Sequence, residues 1–134
     1  MIYKKCFFLL LVLSLILSIV SFAGAYPEKD IINIIPWSAG GGTDAAMRGF
    51  MHYAEKQLNV TIVNQNVTGA QSGVGVFKLM NSRPDGYTIG ILTWDSVITV
   101  PYYDLVPGYD LDKLDFIFTL AQHPTTLAVR NDSP

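Results

Sequence analysis

Two short stretches carry the residue types from which a binding site can be built on backbone alone. Gly40-Gly41-Gly42 runs directly into Thr43-Asp44, and further along the chain stands Gly69-Ala70-Gln71-Ser72-Gly73. Glycine and other small residues let backbone N–H groups reach a ligand without an intervening side chain. Free N–H donors at a helix start, with the helix dipole behind them, favour an anion, and a carboxylate suits such a place. The dipole supplies only about 0.3–1 kcal/mol when exposed and ~2 kcal/mol when partly buried, so several convergent donors are needed. A glycine run also serves as a tight strand-to-helix turn for packing alone, and spacing leaves the two readings evenly balanced. The Lys-Ser/Thr pair that ends a phosphate loop is missing, and there is no dinucleotide fingerprint.

Asp44, in the first turn of the helix that follows, reads either as compensation for the dipole or as an acceptor for a ligand hydroxyl or ammonium group. Trp37 and Trp94 close two apolar runs and either wall a ligand site or pack beneath the loops. His52 falls opposite the apolar stripe of its helix and reads as a solvated residue, while His123 precedes Pro124 in a turn. Neither histidine stands with a cysteine or serine nucleophile, and two isolated histidines do not make a metal site. No cofactor is called for.

The elements that must position these residues follow from periodicity. Ile31-Ile32-Asn33-Ile34-Ile35 is short, β-branched and nearly all apolar, as in a strand covered on both faces, and Pro36 ends it. Residues 44–58 place Met47, Phe50 or Met51, Ala54 and Leu58 at helical spacing, with Thr43 as the expected N-cap. A second strand is predicted over residues 61–63, a helix over 74–80, a turn at Arg83-Pro84-Asp85-Gly86 and a third strand over 87–93. The order strand, helix, strand, helix, strand predicts an α/β fold with an open parallel sheet. The loops at Pro36 to Thr43, at residues 64–72 and from Thr93 onward then share the carboxyl edge of that sheet. Beyond Trp94, Pro101, Pro107 and Gly108 break the pattern into a crossover, and residues 116–120 and 126–129 read as two more strands.

At the N-terminus, Lys4 and Lys5 precede an apolar run from Phe7 to Val20, and Ala23-Gly24-Ala25 supplies small residues before Tyr26. That is the pattern of a secretory signal over residues 1–25, cleaved after Ala25, and the run is shorter than the roughly 20 apolar residues of a bilayer span. Cys6, the single cysteine, leaves with the signal, so the mature chain has neither a disulfide framework nor a thiolate metal site. The 9 basic side chains fall to 7 when Lys4 and Lys5 are lost, against 11 acidic ones, a formal charge of −4. No basic patch recommends nucleic acid. A soluble exported protein is expected.

The assembled residues resemble a known family, the periplasmic substrate-binding proteins of tripartite tricarboxylate transporters, also called the Bug receptors. Tyr26-Pro27-Glu28-Lys29 is similar to the family's mature start. Ile34-Ile35-Pro36-Trp37-Ser38-Ala39-Gly40-Gly41-Gly42-Thr43-Asp44 is similar to its first strand and binding loop. Asn64-Gln65-Asn66 with Gly69-Ala70-Gln71-Ser72-Gly73 resembles its second loop, and Pro84-Asp85-Gly86-Tyr87-Thr88-Ile89 its turn into the third strand.

The resemblance implies a two-lobed clamshell of the type II periplasmic binding kind. Backbone groups and ordered waters at the first two loops hold a ligand carboxylate between the lobes. The contacts fall on Trp37, Ala39, Gly40, Gly41, Thr43 and Asp44, then Gly69, Ala70 and Ser72, with Thr93 at the third strand's exit. It further implies a monomeric periplasmic receptor, not an enzyme, that takes di- or tricarboxylates or related organic acids and delivers them to the transporter's membrane subunits. Residues 26–100 would form the beginning of the first lobe, and residues 101–134 the crossover and the start of the second lobe. Family members continue well beyond this length, so weak or no binding is expected from the 134 residues alone. The second loop departs from the family, which usually has proline before Gly-Ala-Gly-Gly where Thr68 here precedes Gly69-Ala70-Gln71-Ser72. Two other classes remain open: an exported α/β enzyme for an anionic substrate with Asp44 or His52 as general base, and an interaction module anchored by an uncleaved signal.

Overall fold

The computed structural model describes Tyr3, residues 26–122 and residues 128–132. The signal expected over residues 1–25, Tyr3 apart, and His123, Pro124, Thr126 and Leu127 lie outside the described residues. Three strands, β1 (Ile31–Ile35), β2 (Ile62–Asn66) and β3 (Thr88–Gly90), form one parallel sheet in the order β2-β1-β3. Helix α1 (Gly42–Leu58) joins β1 to β2, and α2 (Gly73–Met80) crosses from β2 past β1 to β3. The expected parallel α/β sheet is what the chain forms.

Alternation along β1 explains the layering. Ile31 and Ile35 share one face and pack, fully buried, with Met47 and Met51 of α1 and Ile62 of β2. Each such side chain contributes roughly 1.5–3 kcal/mol on burial. Ile34 points the other way, and on that face a Cβ built at Gly90 would come within 3.0 Å of Leu79 of α2 and 3.5 Å of Ile34 Cβ. The sheet is therefore covered by α1 on one side and α2 on the other. Of the two readings of the α1 stripe, Met51 is the buried one; Phe50 and Leu58 are exposed, Phe50 instead meeting Phe118 at 5.4 Å.

The amino edge of the sheet is tied by aromatic and turn contacts. Tyr26 donates its hydroxyl to Gly86 O at 2.6 Å and packs edge-on against Tyr87. Lys29 lies over the Tyr87 ring and pairs with Asp85. Among the described residues no helix is long and apolar enough to cross a membrane.

Four expectations are corrected. Helix α1 starts two residues early, with Gly41 in extended conformation as N-cap and no side-chain cap bond, so Thr43 is inside the helix and caps nothing. β2 runs on to Asn66 because β1 offers a partner as far as Ile35, and backbone pairing outweighs the polar character of Asn64-Gln65-Asn66. β3 is cut to three residues because β1 turns away at Pro36, which has no N–H to extend the ladder. Residues 116–120 are not a strand: Phe116, Ile117 and Phe118 stand exposed, and with no paired neighbour among the described residues their β-propensity has nothing to act on.

After β3 the chain winds into a π-helical turn (Asp95–Thr99) continued by a short α3 (Val100–Tyr102), and a 3-10 turn follows at Leu111–Lys113.

Candidate functional site

The first bend leaves β1 at Pro36 and enters α1 at Gly42. Gly40 has φ of 80°, a left-handed value that glycine takes without strain. Its amide donates to Asp44 Oδ2 at 2.9 Å, and the Gly41 amide donates to Ser38 O at 3.3 Å. Asp44 is 3% exposed and both its oxygens are engaged: Arg48 Nε lies 2.9 Å from each, and Asn66 Nδ2 donates to Oδ1 at 2.8 Å. Asn66 also donates to Trp37 O at 2.9 Å and accepts from Arg48 at 2.8 Å. The Arg48 hydrogen bond foremost, then the Gly40 amide and Asn66, hold the Asp44 carboxyl well below the usual carboxylate range.

One buried carboxylate thus pins the middle of the bend, the first turns of α1 and the end of β2 to one another. The helix start above it is open. The amides of Gly42, Thr43 and Asp44 find no acceptor among the described residues, and neither does the indole N–H of Trp37.

The second bend is built differently. After Val67, whose amide donates to Ile35 O, the backbone passes through Gly69 at φ 128° and then through Ala70, Gln71 and Ser72 at φ 45°, 51° and 76°. Three consecutive non-glycine residues in the left-handed region are costly, about 1–2 kcal/mol apiece. The turn closes on itself through Gly73 N–H to Ala70 O at 2.9 Å and Val74 N–H to Gly69 O at 3.3 Å. The amides of Gly69, Ala70, Gln71 and Ser72 have no acceptor among the described residues.

Both bends meet at Gly75 in the first turn of α2. A Cβ there would lie 2.5 Å from Val67 O and 2.8 Å from Pro36 Cβ, so only glycine allows the two bends and the helix start to sit this close. The exit of β3 joins the same edge. Thr93 N–H donates to Ser96 Oγ at 3.1 Å, and Ser96 Oγ lies 2.7 Å from Ser72 Oγ. Tyr109 donates its phenol to Ser96 O at 2.8 Å, and burial pushes that phenol up to about 12, which keeps it a donor at ordinary pH.

Of the residues singled out from the sequence, Trp37, Ala39, Gly40, Gly41, Thr43 and Asp44 lie together on the first bend. Gly69, Ala70 and Ser72 lie on the second, and Thr93 joins them through Ser96. Trp94 is 67% exposed and belongs to no network at this edge. His52 is exposed about 15 Å along the α1 axis from the helix start, in an open depression with Glu55, Lys56 and Thr61 at the other end of the sheet. Among the described residues no three His, Cys, Asp or Glu side chains gather as a metal site.

Arg48, Asn66, Ser96 and Tyr109 were missed. Arg48 had a signal, its position four residues beyond Asp44 on one helix face; Ser96 had none.

The chain is similar to a known family and to several of its members. Residues 46–134 match the tripartite tricarboxylate transporter family receptor. A UPF0065 protein of Cupriavidus necator is 30% identical over 112 residues, covering 84% of this chain and 34% of its own length. The protein BugT of Bordetella pertussis is 34% identical over 67 residues, 50% of this chain and 21% of its own. Among solved structures, a TctC solute binding protein from Polaromonas superposes with a TM-score of 0.57 at 33% identity over 61% of this chain and 28% of the other. A periplasmic transporter gives a TM-score of 0.52 at 36% identity over 55% and 24%. The chain spans about a third or less of the length of these curated relatives.

Proposed function

Because the chain belongs to the tripartite tricarboxylate transporter receptor family, we propose that it carries the carboxylate-gripping edge of an exported solute receptor that serves such a transporter. The observation that carries this reading is the pair of amide runs, Gly42 to Asp44 and Gly69 to Ser72, that find no acceptor among the described residues and stand on adjacent bends of one sheet edge. Donors already fixed by the fold need little reorganisation to meet an anion, and the α1 dipole adds to them. Gly40 and Thr93 spend their own amides inside the protein and contribute by fixing the bends. Ala39 and Gly41 shape the path of the first bend, and Trp37 offers its indole N–H.

Asp44 has a double part. Its backbone amide is one of the open donors, while its carboxylate, neutralised by Arg48, holds the bend without repelling an incoming anion. In this reading the ligand is a di- or tricarboxylate or a related organic acid, the receptor works in the periplasm after cleavage at Ala25, and it is a monomer that passes its load to membrane subunits. Residues 26–100 belong to one lobe and residues 101–134 begin the other. The enzyme alternative has no support at this edge: His52 is remote, and both oxygens of Asp44 are committed.

Isothermal titration of the full-length receptor with succinate, glutarate and citrate tests the reading. Binding of at least one is expected, with a rise in Tm, since ligand at a hundred times Kd adds about 2.7 kcal/mol to stability. Absence of heat and of any Tm shift with all three, up to millimolar concentration, would remove the proposal.

A further inference from the structure

A single buried oxygen decides how the second bend is held. Ser72 and Ser96 are 1% and 0% exposed, and their hydroxyl oxygens lie 2.7 Å apart. The same Ser96 oxygen accepts the Thr93 amide at 3.1 Å and lies 3.4 Å from the Thr93 hydroxyl. Ser96 itself sits in the π-helical turn, a rare winding that recurs at functional positions. Its backbone carbonyl is in turn gripped by Tyr109.

The bend needs such an anchor. Ala70, Gln71 and Ser72 all hold left-handed φ values that L-residues avoid. The two backbone bonds that close the turn, Gly73 N–H to Ala70 O and Val74 N–H to Gly69 O, are local and bind it to no element beyond the start of α2. Within it only the Ser72 side chain is buried and bonded to another element. A serine that merely filled space at position 96 would be dispensable; here its removal would orphan both the Ser72 hydroxyl and the Thr93 amide inside the protein.

We propose that Ser96 is a positioning residue for the carboxylate edge: without touching the ligand, its hydroxyl holds Ser72 in the left-handed conformation, aims the open amides of Gly69 to Ser72, and ties the exit of β3 to the same point. The aiming of amides toward a ligand rests on the function proposed above; the holding of the turn does not.

The test uses the full-length receptor with two readouts, succinate affinity and amide hydrogen exchange at Gly73 and Val74, whose N–H groups close the turn. Ser96→Ala is expected to speed exchange at these two amides and to weaken succinate binding, each by about tenfold or more, the usual consequence of an orphaned buried hydroxyl. Exchange in α1 should be unchanged. Ser72→Ala, which breaks the same bond from the loop side and keeps the strained backbone, should give the same local rise, and it stands in if Ser96→Ala fails to fold. Ser72→Gly removes both the hydroxyl and the strain, so its double variant with Ser96→Ala should exchange more slowly than Ser96→Ala alone. Unchanged exchange at Gly73 and Val74, or an equal rise in α1, overturns the proposal. If no carboxylate binds the unaltered receptor, the functional reading fails while the exchange measurements still decide the role of Ser96.

Discussion

The first bend is held by charge and the second by neutral hydroxyls. At the first, a fully engaged carboxylate, Asp44, gathers an arginine, an asparagine and a glycine amide, and the backbone needs a left-handed residue only at Gly40. At the second, no charged group takes part in holding the turn; three successive side-chain-bearing residues are left-handed, and a buried serine pair holds them. Both leave a run of amides open at the same edge. The contrast shows that a run of open amides need not be held in place by charge. What it needs is backbone fixed firmly enough that its donors stay unpaired yet aligned, and that can be achieved electrostatically or by packing a strained turn against a buried polar contact.

The largest effect should come from the point where the two devices meet. Gly75→Ala would drive a methyl group to within 2.5 Å of Val67 O and 2.8 Å of Pro36 Cβ, so α2 must retreat from both bends. Overpacking of this kind costs about 1–3 kcal/mol or more, and a loss near the upper end is expected because the nearest contact is backbone. Denaturant titration of the full-length protein measures it, and in the proposed reading carboxylate affinity should fall with it. A stability loss without an affinity loss would mean that the bends are held independently of α2, and the comparison would have to be redrawn.

Asp44→Asn separates the two bends next. It leaves Arg48 without its anionic partner and weakens the hydrogen bonds from three partners at once, so a Tm fall of several degrees is expected, with exchange at Gly73 and Val74 of the second bend unaltered. The pH dependence has a definite sign. The Arg48 hydrogen bond foremost holds the carboxyl below the ordinary aspartate range, so its stabilisation is fully present above that range and is lost only as pH falls through the depressed range in strong acid. The gap between the parent and Asp44→Asn midpoints should be constant from neutral pH to mildly acidic pH and should close below it. Salt should narrow the same gap somewhat, since Arg48 is partly exposed, and should leave the Ser96→Ala penalty untouched. An equal salt response in both variants would contradict the division between a charged and a neutral bend.

How far the sequence foretold this edge differs between the bends for the same physical reasons. The apolar run Ile31–Ile35, the glycine run after Pro36 and the helical stripe with Met47 and Met51 are strong local signals, and they placed β1, the first bend and α1 with little error. Asn64-Gln65-Asn66 read as loop because polar residues are rare in covered strands; non-local pairings such as Asn33 with Asn64, Lys78 with Gln65, and Asn66 with Asp44 and Trp37 O make them acceptable there. Ala70-Gln71-Ser72 carries no mark of left-handed backbone, since that conformation comes from the buried partner at Ser96 and not from intrinsic preference. Residues 116–120 have the composition of a strand, and no neighbouring strand among the described residues pairs with them.

The smallest expected effect is the most diagnostic for the second bend. Gln71 is exposed, sits at φ 51°, and has no side-chain hydrogen bond among the described residues, so its replacement by glycine removes strain and little else. The left-handed penalty relieved is about 1–2 kcal/mol, and the extra freedom of glycine in the unfolded chain returns about 0.5–1 kcal/mol of it, leaving a net gain of roughly 0.5 to 1 kcal/mol. Gln71→Gly should therefore raise Tm slightly. Affinity should move the other way, because a glycine at the tip widens the range of orientations open to the neighbouring amides and weakens their alignment before the ligand arrives. A calorimetric scan and a succinate titration on one preparation decide the matter. Higher stability with weaker binding would show that the strain in this turn maintains the donor array, whereas higher stability with unchanged binding would show that the buried serine pair alone sets it.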